Sequence, residues 1–374
     1  PGPVHLTIPL DVITANADHV SAEAWDLPLP PAPHPDAVRR AVERLNAART
    51  PLVALGGGAA DAADLCRQVA EALDAPVTTT HNARGILGAD HPLNISGSPA
   101  SDTLQSLYEE ADVVLAVGTE LGETDYDFFF KEYARMSSGL VRIDIDPRQF
   151  GRNQRPAVSV LGDAGLSLAA ILEGLDKRPT GAGVERAQAV RDALAPDRVA
   201  AYDTLYDTLH RTLPNHILFG DSTQPTYFAA FQYDATAPRS FAAASTGYGT
   251  LGYALPAAFG GRLGQPERPV VVFVGDGGFQ FTLNELSTAV EAKIPVAVLV
   301  WHNDSYGEIA SNFRNAGMEP MACDIHSPDF VALAKAYGCH GETVEDHQGL
   351  ADALLAAQGR DVPSVIVMPE DRFL

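Results

Sequence analysis

The sequence predicts an α/β chain made of two doubly wound parallel-sheet domains, and three observations lead there. Short apolar runs rich in Val, Ile and Leu alternate with stretches of helical apolar spacing along most of the 374 residues, as expected for buried strands with helices packed against them. Several runs end in glycine turns, at Gly56-Gly57-Gly58, Gly118-Thr119, Gly220-Asp221 and Gly275-Asp276-Gly277, which is where α/β sheets carry function. Two stretches of linker composition, 13–35 (around PLPPAPHP) and 177–197, interrupt the alternation. They divide the chain into 1–35, 36–176, 177–197 and 198–374, with the second and fourth segments of ordinary domain size.

The elements follow in order. Pro1 to Val12 (PGPVHLTIPLDV) reads as an edge strand. In the first domain, helical spacing covers Ala37–Ala48 and Ala62–Leu73, and β-branched runs predict strands at Pro51–Leu55, Ala111–Val117 and Leu140–Ile145. Residues 177–194 read as a linker running into a helix. In the second domain, helices are expected at Val199–Leu213, Leu283–Ala292 and Pro328–Tyr337. Strands are expected at Ile217–Phe219, Val270–Val274, Val296–Trp301 and Ser364–Met368. No internal repeat is present.

Composition excludes several functions. The net charge of −22 argues against a nucleic-acid partner, whose phosphates it would repel. An anionic ligand would have to be held by a metal and backbone donors instead. Cys66, Cys323 and Cys339 have no metal-ligand spacing, consistent with a reduced, cytoplasmic protein. No apolar run is long enough to span a bilayer.

The segment 270–307 carries the most chemistry. A buried strand runs into Gly275-Asp276-Gly277-Gly278 and delivers a carboxylate at its carboxyl end. The glycines permit close backbone approach to a phosphate, and a following helix offers free N–H groups. With twenty-five residues between it and Gly277, Asn303 is delivered by a second strand. Asp276, Asn303 and a nearby backbone carbonyl are hard oxygen ligands of the kind Mg²⁺ takes. A plain strand–turn–helix would also produce the first half of this pattern. Upstream, Thr246 to Ala258 (TGYGTLGYALPAA) is a glycine-rich turn into a helix, in which Leu251 could equally be ordinary core.

Taken in order, TGYGTLGYALPAA, GDGGFQFTLNELSTA and Asn303 resemble the signatures of acetolactate synthase-like thiamine diphosphate (ThDP) enzymes. VLAVGTELGETDYDF, VRIDIDPRQF and the 318–339 segment extend the likeness along the whole chain. Within that family it is most similar to the 5-guanidino-2-oxopentanoate (2-ketoarginine) decarboxylase branch. The resemblance implies ThDP and Mg²⁺ as cofactors. It makes Asp276, Asn303 and the carbonyl of Ser305 the metal ligands. Gly275, Gly277, Gly278, Tyr306 and Gly307 would lie at the diphosphate. Leu251 would prop the cofactor in its bent shape, and the Gly249 carbonyl would accept a hydrogen bond from its aminopyrimidine; these two are the catalytic candidates. His302 replaces the first Asn of the family's usual pair, while the ligating Asn303 is kept.

Other candidates stay open. Ser222, Thr223 and Gln224, after Asp221 at a strand end, could reach a phosphate or the substrate, or simply cap a helix. Glu308 could pair with a cationic substrate tail, or be a first-turn acid favoured by the helix dipole. Gly56-Gly57-Gly58 is a loose match to a dinucleotide motif. Where the family's FAD-binding members carry a basic stretch, this chain reads Glu120-Leu121-Gly122-Glu123-Thr124-Asp125, which argues against FAD. His81 and Arg84 read as surface or site.

The resemblance implies a 2-oxo acid as substrate. The product would follow from decarboxylation or from carboligation of the acetolactate synthase type, while a non-catalytic ThDP-binding or regulatory module is a third reading. The family's activating Glu belongs to a pyrimidine-binding domain whose tail would be residues 1–35. No residue here maps to that Glu, so it is expected from another segment or polypeptide, within a homodimer or homotetramer.

Overall fold

The computed structural model describes residues 4–21, 23, 24, 26–126, 136 and 139–374. Its chain divides into two units, Pro1–Pro30 and Pro31–Leu374. In the first, the expected edge strand is absent among the described residues. The regular element is one helical turn, Leu10–Ile13, and Val4, Leu6, Ile8 and Leu10 are exposed. A strand needs a neighbour for its N–H and C=O groups, and among the described residues none pairs with this segment.

The second unit contains two sheets. The first comprises β1 (Pro51–Leu55), β2 (Val77–Thr79), β3 (Asn94–Ile95), β4 (Val113–Val117), β5 (Val141–Asp144) and β6 (Val158–Leu161), in the order β3-β2-β1-β4-β5-β6. The second comprises β7 (Ile217–Gly220), β8 (Phe241–Ala243), β9 (Val270–Gly275), β10 (Ala297–His302), β11 (His340–Thr343) and β12 (Ser364–Pro369), in the order β11-β12-β10-β9-β7-β8. Every pairing is parallel. Helices cover both faces, so the central strands are apolar on both sides. In the second sheet Val271, Phe273, Leu299 and Ile366 face one core, and Val270, Val272, Val298 and Val365 the other. The helix within 177–197, Ala182–Leu194, buries Gly183, Ala187 and Leu194.

Of the eight strands expected from sequence, the seven from Pro51 onward all form. The five that were not expected, β2, β3, β6, β8 and β11, lie toward the sheet margins and span two to four residues each. They are too short to carry a period. One helix was not expected: after β9 the chain turns directly into Asp276–Thr282, and the helix expected over Leu283–Ala292 follows as Glu285–Glu291. Glycine at 277 and 278 weakens local helix preference, and the strand end dictates the turn instead.

His81 and Arg84 are not surface groups. His81 is buried with Nδ1 2.6 Å from Asp125 Oδ1. Arg84 is buried and donates to the carbonyls of Ala230 and Tyr233 at the end of helix Gln224–Gln232, and to Gly97. It thereby caps a helix of the second sheet from the loop after β2. Among the described residues no helix is long and apolar enough to cross a membrane.

His216 provides a pH-sensitive point in the second core. It is fully buried, with Nδ1 2.7 Å from the Leu213 carbonyl and Nε2 2.8 Å from the Tyr233 hydroxyl. Both contacts are satisfied by the neutral ring: Nδ1–H donates to the carbonyl and Nε2 accepts from the phenol. Burial lowers its pKa from 6.5 to about 4. A depressed histidine leaves stability intact above its unfolded value and removes it as pH falls toward the folded one. We expect the unfolding free energy to drop by about 2 kcal/mol between pH 7 and pH 5 through this group. Urea unfolding of His216→Gln should show that component missing; an unchanged pH dependence would refute the assignment.

Candidate functional site

Four neighbouring strands of the second sheet end at one rim, and their register decides what meets there. Trp301 of β10 lies level with Gly275 of β9, and His302 level with Pro369 of β12. Gly220 of β7 lies level with Phe273 of β9. Asp221, Asp276, Asn303 and Glu370 come just after the four strands, so they converge. The chain leaves β7 toward β8 on one side and β9 toward β10 on the other, and open α/β sheets form their crevices at such a reversal.

Asp276 is 1% exposed. Its Oδ1 accepts the N–H of Gly277 at 2.8 Å, while Oδ2 accepts the N–H groups of Asn303 (3.1 Å) and Asp304 (2.6 Å) and the hydroxyl of Ser327 (3.2 Å). One carboxylate thus ties the end of β9 to the loop after β10. Asn303 Oδ1 accepts the N–H of Ser305 at 3.1 Å, and its Nδ2 faces both Glu370 oxygens at 3.4 Å. Glu370 also accepts the Trp301 indole N–H at 2.9 Å. The Ser305 hydroxyl and the Tyr306 N–H both donate to the Cys323 carbonyl.

Asp221 organises the other side. It is fully buried, and burial pushes its carboxyl up while backbone N–H groups pull it back. Oδ1 accepts from Ser222 N and Gly252 N at 2.9 and 3.2 Å, and Oδ2 from Ala254 N at 3.0 Å. These bonds hold the turn that contains Gly249, at φ +63°, and Leu251. Thr223 occupies the N-cap position of the next helix without a side-chain cap bond. The Ser222 hydroxyl donates to the Gly249 carbonyl at 2.9 Å, leaving that oxygen one further lone pair.

A cavity of roughly 240 Å³ opens at this rim. All fourteen candidates from the sequence line it: Ser222, Thr223, Gln224, Gly249, Leu251, Gly275, Asp276, Gly277, Gly278, Asn303, Ser305, Tyr306, Gly307 and Glu308, joined by Tyr227, Trp301 and Ile309. Its floor has no room for side chains. A Cβ on Gly277 would lie 2.7 Å from the Tyr306 ring, and one on Gly278 would lie 2.9 Å from Asp221 Oδ1. Gln224 Oε1 is buried without a hydrogen-bond partner. Beside the cavity, one ligand atom each from Asp276, His302 and Asp304 lies within 4.8 Å of the others. This cluster shares only Asp276 with the ligand set expected from sequence.

Several supporting residues went unrecognised in the sequence. Glu370 follows directly after a predicted strand, a signal that could have been used once the strand order was known. Asp221 stood out only as part of a strand-end quartet. Ser327 and Tyr227 carry no signal of their own, since loop and helix packing alone bring them here.

Comparison with known proteins agrees with this geometry. Residues 38–171 match the model described as thiamine pyrophosphate enzyme, central domain, and residues 221–368 the model described as thiamine pyrophosphate enzyme, C-terminal TPP binding domain. A Pseudomonas aeruginosa protein named "Probable 2-ketoarginine decarboxylase AruI" is 40% identical over 98% of this chain and 66% of its own length. The acetolactate synthase large subunit of Parasynechococcus marenigrum is 31% identical over 98% of this chain and 62% of its own. The crystal structure of benzoylformate decarboxylase from Polynucleobacter necessarius superposes with a TM-score of 0.77 at 25% identity, covering 96% of this chain and 69% of that one. The chain spans just under two thirds of the length of these curated relatives. Fold, motif order and both domain matches agree: the chain belongs to the thiamine pyrophosphate enzyme family and carries its central and C-terminal TPP-binding domains.

Proposed function

We propose that this chain is the metal- and diphosphate-holding part of a Mg²⁺-dependent ThDP enzyme that removes CO₂ from a 2-oxo acid. The name of its 40% identical relative makes 5-guanidino-2-oxopentanoate the first substrate to test. The observation that carries this reading is the convergence on one cavity of fourteen residues, most of them named through the family resemblance.

The residues fit the cofactor on three counts. Asp276, Asn303 and the Ser305 carbonyl are hard oxygen donors on one wall, suited to Mg²⁺. The glycine floor exposes backbone to an anion without intervening side chains. Gln224 has an unsatisfied amide oxygen in the wall, as a polar group reserved for a ligand would. Asp276, Asn303 and Ser305 would hold the metal. Gly275, Gly277, Gly278, Ser222, Thr223, Tyr306 and Gly307 would surround the diphosphate. Leu251 would support the cofactor body, and the Gly249 carbonyl would accept a hydrogen bond. When bound, ThDP supplies the electron sink that lets a 2-oxo acid lose CO₂.

Asp221 and Glu370 act through others: the first positions the Gly249–Leu251 turn, and the second orients the Asn303 amide. Tyr248, adjacent to Gly249, is 99% exposed, and Ile309 is half exposed on the cavity wall. We take a pyrimidine-binding domain, from the same protein or a partner in a homodimer or homotetramer, to cover this side and supply the activating Glu. An acetolactate synthase-like carboligase is the second reading, favoured by the 31% identical relative; a new C–C bonded product from pyruvate would select it.

Two outcomes are expected. The assembled enzyme with ThDP and Mg²⁺ should release CO₂ from 5-guanidino-2-oxopentanoate faster than from pyruvate. No release from any 2-oxo acid while cofactor is bound would overturn the decarboxylase reading. Gly278→Ala should weaken ThDP binding by about tenfold or more, because the added methyl meets Oδ1 of an Asp221 carboxylate that three N–H groups already fix, two of them on that oxygen. Quenching of the protein's tryptophan fluorescence on titration with ThDP measures this, and unchanged affinity would count against the glycine floor.

A further inference from the structure

The cavity lining holds two carboxylates, Asp276 and Glu308, and no basic side chain. The two are in different situations. Asp276 is buried and its oxygens already receive four donors. Glu308 stands exposed in the first turn of helix Gly307–Asn315. No hydrogen bond or ion pair joins its carboxylate to another described residue. An acid without a partner on the wall of a ligand cavity raises the free energy of any anion bound there, unless the ligand brings a cation to it.

We propose that Glu308 selects the substrate by pairing with a cationic tail, a guanidinium or ammonium carried on the side chain of a 2-oxo acid. This rests on the 2-oxo acid reading above and specifies which residue sets its side-chain preference. A guanidinium presents planar paired donors that match a carboxylate bidentately. Tyr227 and Ile309 line the same cavity and offer apolar surface to the methylenes between the two ends. A 2-oxo acid with an apolar tail would leave the Glu308 carboxylate crowded and unpaired, and sites built for a polar group reject analogues that lack it. The plainer role, a first-turn acid favoured by the helix dipole, predicts a change in stability and no change in tail preference.

The test uses holoenzyme loaded with ThDP and Mg²⁺, and two unreactive probes, 5-guanidinopentanoate and pentanoate. Calorimetry should find the guanidino acid bound at least about tenfold more tightly than pentanoate, as expected for one charge-assisted pair. Glu308→Gln should abolish that difference, with pentanoate bound no more weakly than by the wild type and thermal stability nearly unchanged, and Glu308→Asp should retain part of it. With 5-guanidino-2-oxopentanoate, E308Q should raise KM by roughly 10- to 100-fold with kcat little altered. A tail preference that survives in E308Q overturns the proposal. Failure of the decarboxylase reading is distinguishable: CO₂ release would be absent in wild type and variant alike, while the binding preference persisted.

Discussion

The carboxylate of Asp276 is the constraint on which the site depends. Parallel pairing of β9 and β10 sets Gly275 beside Trp301, so the residues after each strand must leave the sheet at the same height. Loop N–H groups there have no ladder partner, and buried unpaired donors are costly. Asp276 satisfies two of them, from Asn303 and Asp304, and receives Ser327 from a third segment. The same bonds aim the Asn303 side chain, whose far end is held by Glu370 after β12. Asp221 performs the equivalent task one strand away, gathering the N–H groups of the turn that carries Leu251. Two buried acids, each saturated by backbone donors, thus give the rim its shape.

The charge of the cavity follows from this economy of means. Its lining offers two carboxylates and no Lys, Arg or His, within a chain of net charge −22. Side-chain cations of the lining cannot attract a diphosphate here, so the proposed binding would rely on a divalent ion and on backbone amides over the glycine floor. The proposed metal dependence rests on this composition of the pocket.

Much of this was legible in the sequence because central parallel strands leave a continuous apolar signature, as at Val270–Val274 and Val296–Trp301. The motifs sit where those strands end, and the family resemblance they carry is what named most of the fourteen candidates that line the cavity. The marginal strands were not legible: Asn94–Ile95 and Phe241–Ala243 are too short for any periodicity. The helix start at Asp276 was missed because glycines disguise a turn that the strand end and its carboxylate impose. Ser327 and Tyr227 could not be found at all, since their presence depends on how a loop and a helix pack across the rim. The apolar alternation of Val4 to Leu10 suggested a strand, yet pairing requires a neighbour that the described residues do not provide.

The most direct test of this account is a calorimetric titration of the protein with ThDP, with and without Mg²⁺. An acidic, cation-free cavity predicts saturable binding with the metal and a loss of at least about a hundredfold in affinity when EDTA removes it. Binding of equal strength in the absence of any divalent ion would contradict the assignment of Asp276, Asn303 and Ser305 as the groups that hold the diphosphate through a metal.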